Sequence, residues 1–209
     1  IMRTIVQPLF PVTVMEFNDF PITEKEINTL INEQDFESMQ IENGLISSEK
    51  YLLNKKKNIS LRKNLFYCVD QYTHNVLDIT HNVSFYFQNS WMMKHRPGDW
   101  GQNHIHENSL ISGVLYLKVP PNSGNLLLHR NRIVSNYLNP YINLKANSSN
   151  IYNADTYTCV LEPKKLVLFP ANMNHSIERN NSEEDRYCIA FNLFFRGMLG
   201  EETSICQIL

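Results

Sequence analysis

From about residue 82 onward the sequence consists of short apolar runs, rich in β-branched and aromatic residues, that are separated by turn-forming residues. Prolines, glycines and asparagines close these runs in stretches such as RPGDW, PPNSG and RNNSEED. Runs of this length and spacing predict a sandwich or a barrel-like jelly roll rather than a parallel α/β sheet. The predicted strands are VSFYFQNSWMMKH, SLISGVLYLKV, GNLLLHR, TYTCVLE, KKLVLFP and RYCIAFNLFF.

The residues that precede this region predict helices instead. Thr23 and Glu26 have the spacing of a capping box, and apolar residues follow at helical intervals, so we expect a helix near residues 23–33. A second apolar stripe repeats every three or four residues and predicts a helix near residues 60–77. The opening stretch TIVQPLFPVTVMEF alternates weakly and is interrupted by prolines, which predicts an edge strand.

Length and charge narrow the class of protein. With 209 residues we expect a single domain, in which residues 1–82 pack on a jelly-roll core formed by residues 83–209 that carries the functional site. The net charge of -2 lacks the basic excess that is typical of nucleic-acid-binding proteins, so we expect no nucleic-acid partner. The four cysteines are scattered, which favours a reduced, cytoplasmic protein. Pro8 and Pro11 break the apolar opening, so neither a signal peptide nor a membrane span is expected.

Two histidines, His104 and His106, stand two residues apart just before a predicted buried strand. Side chains at positions i and i+2 of an extended chain point to the same side, so both imidazoles can converge on one ion. His175 lies in a predicted loop after the run that ends in LFP, and a third ligand from there would complete a facial triad. The alternatives are an ordinary polar strand face for the pair and an exposed turn for His175.

Arg186 opens the last predicted strand, eleven residues after His175. Taken alone, an arginine at such a position is also compatible with a surface ion pair of little energetic weight. The stretch over residues 130–155 is rich in asparagine and weakly periodic, which predicts a long loop or lid beside the site.

The ordered combination of these motifs resembles the iron(II)- and 2-oxoglutarate-dependent oxygenases, in particular a small bacterial and phage branch of them. The resemblance extends over roughly residues 85–196 and implies a double-stranded β-helix, or jelly roll, buttressed by N-terminal helices. The residues that carry it are Trp91, Pro97-Gly98, His104-Ile105-His106, the run ISGVLYL over residues 111–117, Leu168-Phe169-Pro170, His175, Arg186 and Phe191-Asn192.

The resemblance implies an oxidoreductase, a dioxygenase of the hydroxylase type, that uses iron(II), 2-oxoglutarate and O2. Its substrate is unknown, and a protein or peptide side chain is one candidate. The branch also suggests a phage-encoded protein, which would act in the host cytoplasm.

The resemblance also assigns roles to residues. It implies His104, His106 and His175 as iron ligands. It implies Arg186 as the partner of the distal carboxylate of 2-oxoglutarate, with Tyr116, on a facing strand by pattern, as a second contact. Charge-assisted arginine–carboxylate contacts of this kind select a diacid of the right length.

Two departures from the family pattern, and two aromatic residues, complete the predicted site. Most members carry an aspartate or glutamate two residues after the first histidine, so Glu107 is an alternative ligand to His106. Cys188 stands where the family has a serine, and a thiol is a weaker hydrogen-bond donor than a hydroxyl. Trp91 and Phe169 are candidates for lining the substrate pocket.

Two other functions stay open from the sequence. One is a three-histidine dioxygenase that does not use 2-oxoglutarate, and the other is a noncatalytic jelly roll, either a metal-binding protein or a phage structural or interaction protein. Arg186 favours the 2-oxoglutarate enzyme because only that reading gives the arginine a ligand.

Overall fold

The computed structural model describes residues 2–39, 43–130 and 147–209. Most of the loop or lid predicted over residues 130–155 lies outside these ranges. The helices are α1 Glu24–Asn32 and α2 Ile59–Asp70, which continues as a π-helical turn over Gln71–Val76, with 3-10 turns at Leu52–Asn54, Lys56–Asn58 and Glu202–Ser204. The strands are β1 Met15–Phe17, β2 Phe36–Ser38, β3 Leu45–Ser47, β4 Val83–His95, β5 Gly101–His104, β6 Ile111–Lys118, β7 Leu126–His129, β8 Thr156–Cys159, β9 Leu166–Pro170, β10 His175–Ile177, β11 Arg186–Leu199 and β12 Cys206–Ile208.

The described strands form two antiparallel sheets. The larger has the order β1-β9-β6-β11-β4-β3-β2, with β12 paired to β11, and the smaller has the order β5-β10-β7-β8. Neighbours in space are distant in sequence, as when β6 lies between β9 and β11. This arrangement confirms the predicted jelly roll.

Alternate residues of the large sheet enter two separate apolar clusters, as the two-residue period of a strand requires. On one face, Leu115 and Ile189 pack with residues of both helices, including Ile27 of α1 and Leu65 of α2. The N-terminal helices therefore buttress this face, as predicted. The capping box of α1 is also present, with Glu26 N–H donating to Thr23 Oγ1 at 3.2 Å and Thr23 N–H donating to Glu26 Oε2 at 2.8 Å.

The other face of the large sheet covers the small sheet. Here Val114 and Tyr116 of β6 and Cys188 of β11 pack with Leu126 and Leu128 of β7. We call this the inner face. Packing of two sheets face to face buries the side chains between them, so polar groups on the inner face need either partners or a ligand.

Six predicted strands are present, and the prediction for β4 matches the observed bounds. The predicted N-terminal edge strand is shorter than expected, because only Met15–Phe17 pairs with β9 and the prolines lie before it. His175 was expected in a loop and instead begins β10. Strands β5 and β10 are short and polar, so they show no alternation of apolar and polar residues by which the sequence could predict them. Within the described ranges, no helix is both long and apolar enough to cross a membrane.

Candidate metal centre

Three histidines lie together at one end of the small sheet, two of them on neighbouring strands and the third just beyond the end of β5. His104 ends β5, His175 begins β10, and the two are directly opposite each other in the antiparallel ladder. One ring nitrogen of each of His104, His106 and His175 lies within 4.8 Å of the others. Ring centroids are 4.2 Å apart for His104 and His175, and 5.0 Å apart for His106 and His175. These distances suit three imidazoles around one ion.

The backbone beyond β5 explains how His106 joins the group. The strand ends at His104, so the argument from an extended i, i+2 pair does not by itself position His106. Instead, its backbone N–H donates to the carbonyl of Ala171 at 2.9 Å, which fixes the chain beside the end of β9. The same-side geometry predicted from the sequence is therefore produced by an anchor distant in the sequence.

Hydrogen bonds fix the tautomers of two of the rings. Nδ1 of His104 is 2.8 Å from the carbonyl oxygen of Gln102, and Nδ1 of His175 is 2.9 Å from that of Met173. A carbonyl only accepts, so both Nδ1 atoms carry the proton and the lone pairs of the neutral rings lie on Nε2. In metal sites, a hydrogen bond of this type from the ring nitrogen that does not bind the metal orients the histidine ligand.

Burial keeps the imidazoles of His106 and His175 neutral. Burial, and then the neighbouring His104, lowers the pKa of His175 to about 3. The same two causes lower the pKa of His106 to about 4. Metal ions bind the unprotonated imidazole, so these two rings have the charge state that coordination needs at neutral pH. Neutral imidazole is a good ligand for iron(II). Three imidazole ligands would leave three coordination positions on the ion for other ligands.

Glu107 and the two predicted aromatic residues differ in their relation to the histidines. Glu107 is exposed in a turn and lies outside the group of converging ligand atoms. Phe169 is fully buried with its ring centroid 4.9 Å from that of His175, and half-buried Trp91 is 5.9 Å from His106. The two aromatic side chains thus border the histidines and shield them from solvent.

A second polar group lies on the inner face around Arg186, which is 1% exposed. Its Nη1 donates to the carbonyl oxygens of Ser123 and Gly124. Burial lowers its pKa, although the group stays cationic at neutral pH. Tyr116 was predicted on a facing strand, but it lies in the same sheet, on the strand next to Arg186, and is opposite Cys188.

The buried polar atoms without a hydrogen-bond partner in the described part of the chain all belong to this second group. They are Nε and Nη2 of Arg186, the hydroxyls of Tyr116 and Ser123, and both ring nitrogens of His95. Unpartnered buried polar groups are costly, and a concentration of donors around a cation suits an anion such as a carboxylate. Sequence reasoning missed His95, although it shares the two-residue period of Trp91 along β4.

His95 should make the protein sensitive to acid. Burial, and then the charge of Arg186, lowers the pKa of His95 from 6.5 to about 3. As the pH falls, His95 therefore becomes protonated near pH 6.5 in the unfolded chain but only near pH 3 in the folded chain. Stability from this residue is full above about pH 6.5 and falls as the pH decreases, by about 2 kcal/mol between about pH 7.5 and about pH 5.

Urea unfolding of the metal-free protein at these two pH values tests the expectation, with His95→Gln as the comparison. The other histidines are common to both proteins, so their contributions cancel. On acidification, the free energy of unfolding of His95→Gln should decrease by about 2 kcal/mol less than that of the parent protein. Equal losses would show that His95 is not held neutral by the fold.

A jelly roll with three convergent imidazoles and a buried arginine on its inner face has the architecture of a metal-dependent oxygenase. Residues 89–192 match the family described as "Putative 2OG-Fe(II) oxygenase". The chain belongs to the iron(II)- and 2-oxoglutarate-dependent oxygenases. It is accordingly an oxidoreductase of the dioxygenase type, with iron(II) and 2-oxoglutarate as its cofactors. A comparison with curated protein sequences finds no match.

Solved structures of other oxygenases share the fold. A prolyl hydroxylase from Trichoplax adhaerens, in complex with a hypoxia-inducible factor peptide, is 16% identical, with a TM-score of 0.59 over 87% of this chain and 83% of that one. HygX from Streptomyces hygroscopicus, with nickel and 2-oxoglutarate bound, is 10% identical, with a TM-score of 0.58 over 87% and 82%. A Pseudomonas putida prolyl-4-hydroxylase is 11% identical, with a TM-score of 0.55 over 87% and 92%.

Proposed function

We propose that His104, His106 and His175 bind iron(II) and that Arg186, helped by Tyr116, binds the distal carboxylate of 2-oxoglutarate. The observation that carries this proposal is the pair of complementary polar groups between the two sheets. Three imidazoles converge at one end, and unpartnered donors surround a buried guanidinium at the other. A metal chelator with an anionic tail matches both groups at once.

The spacing along the sheet supports a single ligand for both groups. Trp91 borders His106, and His95 lies four residues further along β4, opposite Arg186 on β11. Four residues of a strand extend about 13 Å. The long arginine side chain shortens this span, and the five-carbon diacid would bridge the remainder.

In the proposed site, the residues of this chain have separate roles. Bound iron(II) and 2-oxoglutarate supply the oxidising chemistry, which no protein side chain could provide. The histidines would hold the metal on one side and leave the other side for the cosubstrate and O2. Arg186 would hold the cosubstrate by its tail, and Phe169 and Trp91 would exclude water and line the substrate pocket. A dry, oriented site restricts the oxidation to the bound substrate.

Binding of iron(II) and 2-oxoglutarate under anaerobic conditions tests the proposal. We expect the protein to bind one iron and then one 2-oxoglutarate, and to form succinate slowly once O2 is admitted. Iron binding without 2-oxoglutarate binding would replace the proposal with a three-histidine dioxygenase. Binding of neither would contradict it altogether.

A protein or peptide side chain is our candidate for the substrate. Two of the structural neighbours described above are prolyl hydroxylases, and the structure of one contains a peptide, whereas HygX has also been crystallised with hygromycin B. Stimulation of succinate formation by proline-containing peptides, compared with hygromycin B, separates these two candidates. If only hygromycin B stimulates succinate formation, the peptide candidate is wrong.

The remaining sequence predictions concern organisation and location. We propose that residues 1–209 form one domain, with residues 1–82 packed on the core of residues 83–209; the apolar cluster that joins both helices to β6 and β11 supports this. A cytoplasmic location and a phage origin stay predictions, and the scattered cysteines support the first. Limited proteolysis that released a stable fragment ending near residue 82 would contradict the single domain.

A further inference from the structure

The buried donors around Arg186 exceed what the proposed contacts with Arg186 and Tyr116 use. His95 is 2% exposed, and neither of its ring nitrogens has a hydrogen-bond partner in the described part of the chain. A buried imidazole with both nitrogens unpartnered is costly, and the cost is removed if a ligand accepts from its N–H. His95 therefore needs an explanation that packing does not supply.

The register of the large sheet directs His95 towards the same place as Arg186. The two residues are directly opposite each other on β4 and β11, so their side chains leave the sheet on the same face about 5 Å apart at Cβ. Trp91 and Met93, which precede His95 at intervals of two, pack in the inner cluster, so this face is the inner one. Tyr116 belongs to the same cluster and interacts electrostatically with Arg186.

Space on the other side of His95 is provided by Gly44, which precedes β3. A Cβ at this position would lie 3.4 Å from Cδ2 and Nε2 of the His95 ring, at the short end of ordinary van der Waals contact. The His95 ring therefore packs beside Gly44. The ring thus has a defined position beside Arg186.

The unpartnered donors of this group suit a carboxylate, which has about four lone-pair sites. They are the Nε–H and the two Nη2–H groups of Arg186, the hydroxyls of Tyr116 and Ser123, and one N–H of a neutral His95. The position of His95, directly opposite Arg186 in the sheet, singles it out among them. The family pattern has a serine hydroxyl where this chain has Cys188, and the His95 N–H is a stronger donor than a thiol.

We propose that His95 is a cosubstrate-binding residue whose imidazole N–H donates to the distal carboxylate of 2-oxoglutarate, alongside Arg186 and Tyr116. In this role it supplies the donor that Cys188 provides poorly and contributes to the selection of a diacid over a monoacid. This inference rests on the proposed 2-oxoglutarate site.

Two variants and two ligands separate donation from packing. His95→Leu removes the donor at similar size, and His95→Gln keeps an N–H donor. 2-Oxopentanoate has the same 2-oxo acid end and chain length as 2-oxoglutarate but ends in a methyl group. Binding of each ligand is measured by titration calorimetry on the anaerobic, iron-loaded proteins, with iron content and the unfolding temperature recorded for each variant.

We expect His95→Leu to weaken binding of 2-oxoglutarate about 10-fold or more, and His95→Gln to weaken it by less than about 3-fold. Binding of 2-oxopentanoate should change by less than about 2-fold in both variants, because its terminal methyl group cannot accept a hydrogen bond from residue 95. Equal effects of the two substitutions, or equal effects on the two ligands, would show that His95 only fills space. If the parent protein does not bind 2-oxoglutarate, the proposed function itself fails.

A measurement on the unaltered protein covers the case in which a variant does not fold. In zinc-loaded protein with nitrogen-15-labelled histidine, 2-oxoglutarate should shift the imidazole N–H proton of His95 downfield and slow its exchange with water. 2-Oxopentanoate should leave this signal in place. An unchanged His95 signal on saturation with 2-oxoglutarate would overturn the inference.

Discussion

Replacement of His104, His106 or His175 by alanine is expected to reduce iron(II) affinity by more than about 100-fold in each case. Loss of an outer partner of a metal ligand already costs about 10- to 100-fold, and loss of the ligand itself leaves only two protein donors. Glu107→Ala should retain the iron content of the parent protein, because Glu107 is exposed and outside the group of convergent atoms. Iron content is measured after anaerobic reconstitution and desalting.

A neighbouring histidine provides the matched control for this series. His129 on β7 donates to or accepts from the hydroxyl of Ser176 at 2.8 Å and is not a member of the converging group. His129→Ala should therefore keep its iron. If Glu107→Ala empties the site and His106→Ala does not, a histidine–carboxylate triad replaces the three-histidine site.

The second large effect is expected at Arg186. Arg186→Ala should weaken 2-oxoglutarate binding by about 30-fold or more, because loss of one partner from a buried charge pair costs about 2–5 kcal/mol. Iron binding should survive, since in the proposed site Arg186 contacts the tail of the cosubstrate and not the metal. The affinity of Arg186→Lys for 2-oxoglutarate should lie between those of the parent protein and Arg186→Ala, because lysine keeps the charge but cannot make two parallel hydrogen bonds to the carboxylate.

Arg196 on the same strand is the control for Arg186. Its guanidinium lies over the ring of Tyr86 at 4.5 Å, in the part of β11 that extends past the two-sheet core. Arg196→Ala should leave 2-oxoglutarate affinity unchanged. Unaltered affinity in Arg186→Ala, with the fold intact by circular dichroism, would show that the cosubstrate carboxylate is bound elsewhere.

The proposed set of three histidine ligands would change the charge of the site relative to the usual family pattern. Replacing a carboxylate with a neutral imidazole removes one negative charge next to the metal, so iron(II) would keep its full double charge in the site. Attraction for the anionic end of 2-oxoglutarate should be stronger as a result, because opposite charges interact strongly in a buried environment. Weak donation by Cys188 at the other end acts in the opposite direction.

The sequence predicted much of the fold because the relevant signals are local. A period of two residues is visible within a single strand, and it predicted β4 over its observed length. The capping box of Thr23 and Glu26 is likewise complete within four residues. Strands β5 and β10 escaped prediction because they have only four and three residues and are held by pairing with neighbouring strands, not by an alternating pattern of their own.

By itself, the sequence determined a mainly β chain with two helices in front of it and named the histidines and the arginine as candidates. Only the tertiary structure decided that His175 is opposite His104, that Ala171 anchors His106, and that His95 stands beside Arg186. The physical reason is that strand period depends on nearby residues, whereas convergence depends on the register between strands far apart in the chain. Register is set by which residues the two sheets bury together, and no single segment contains that information.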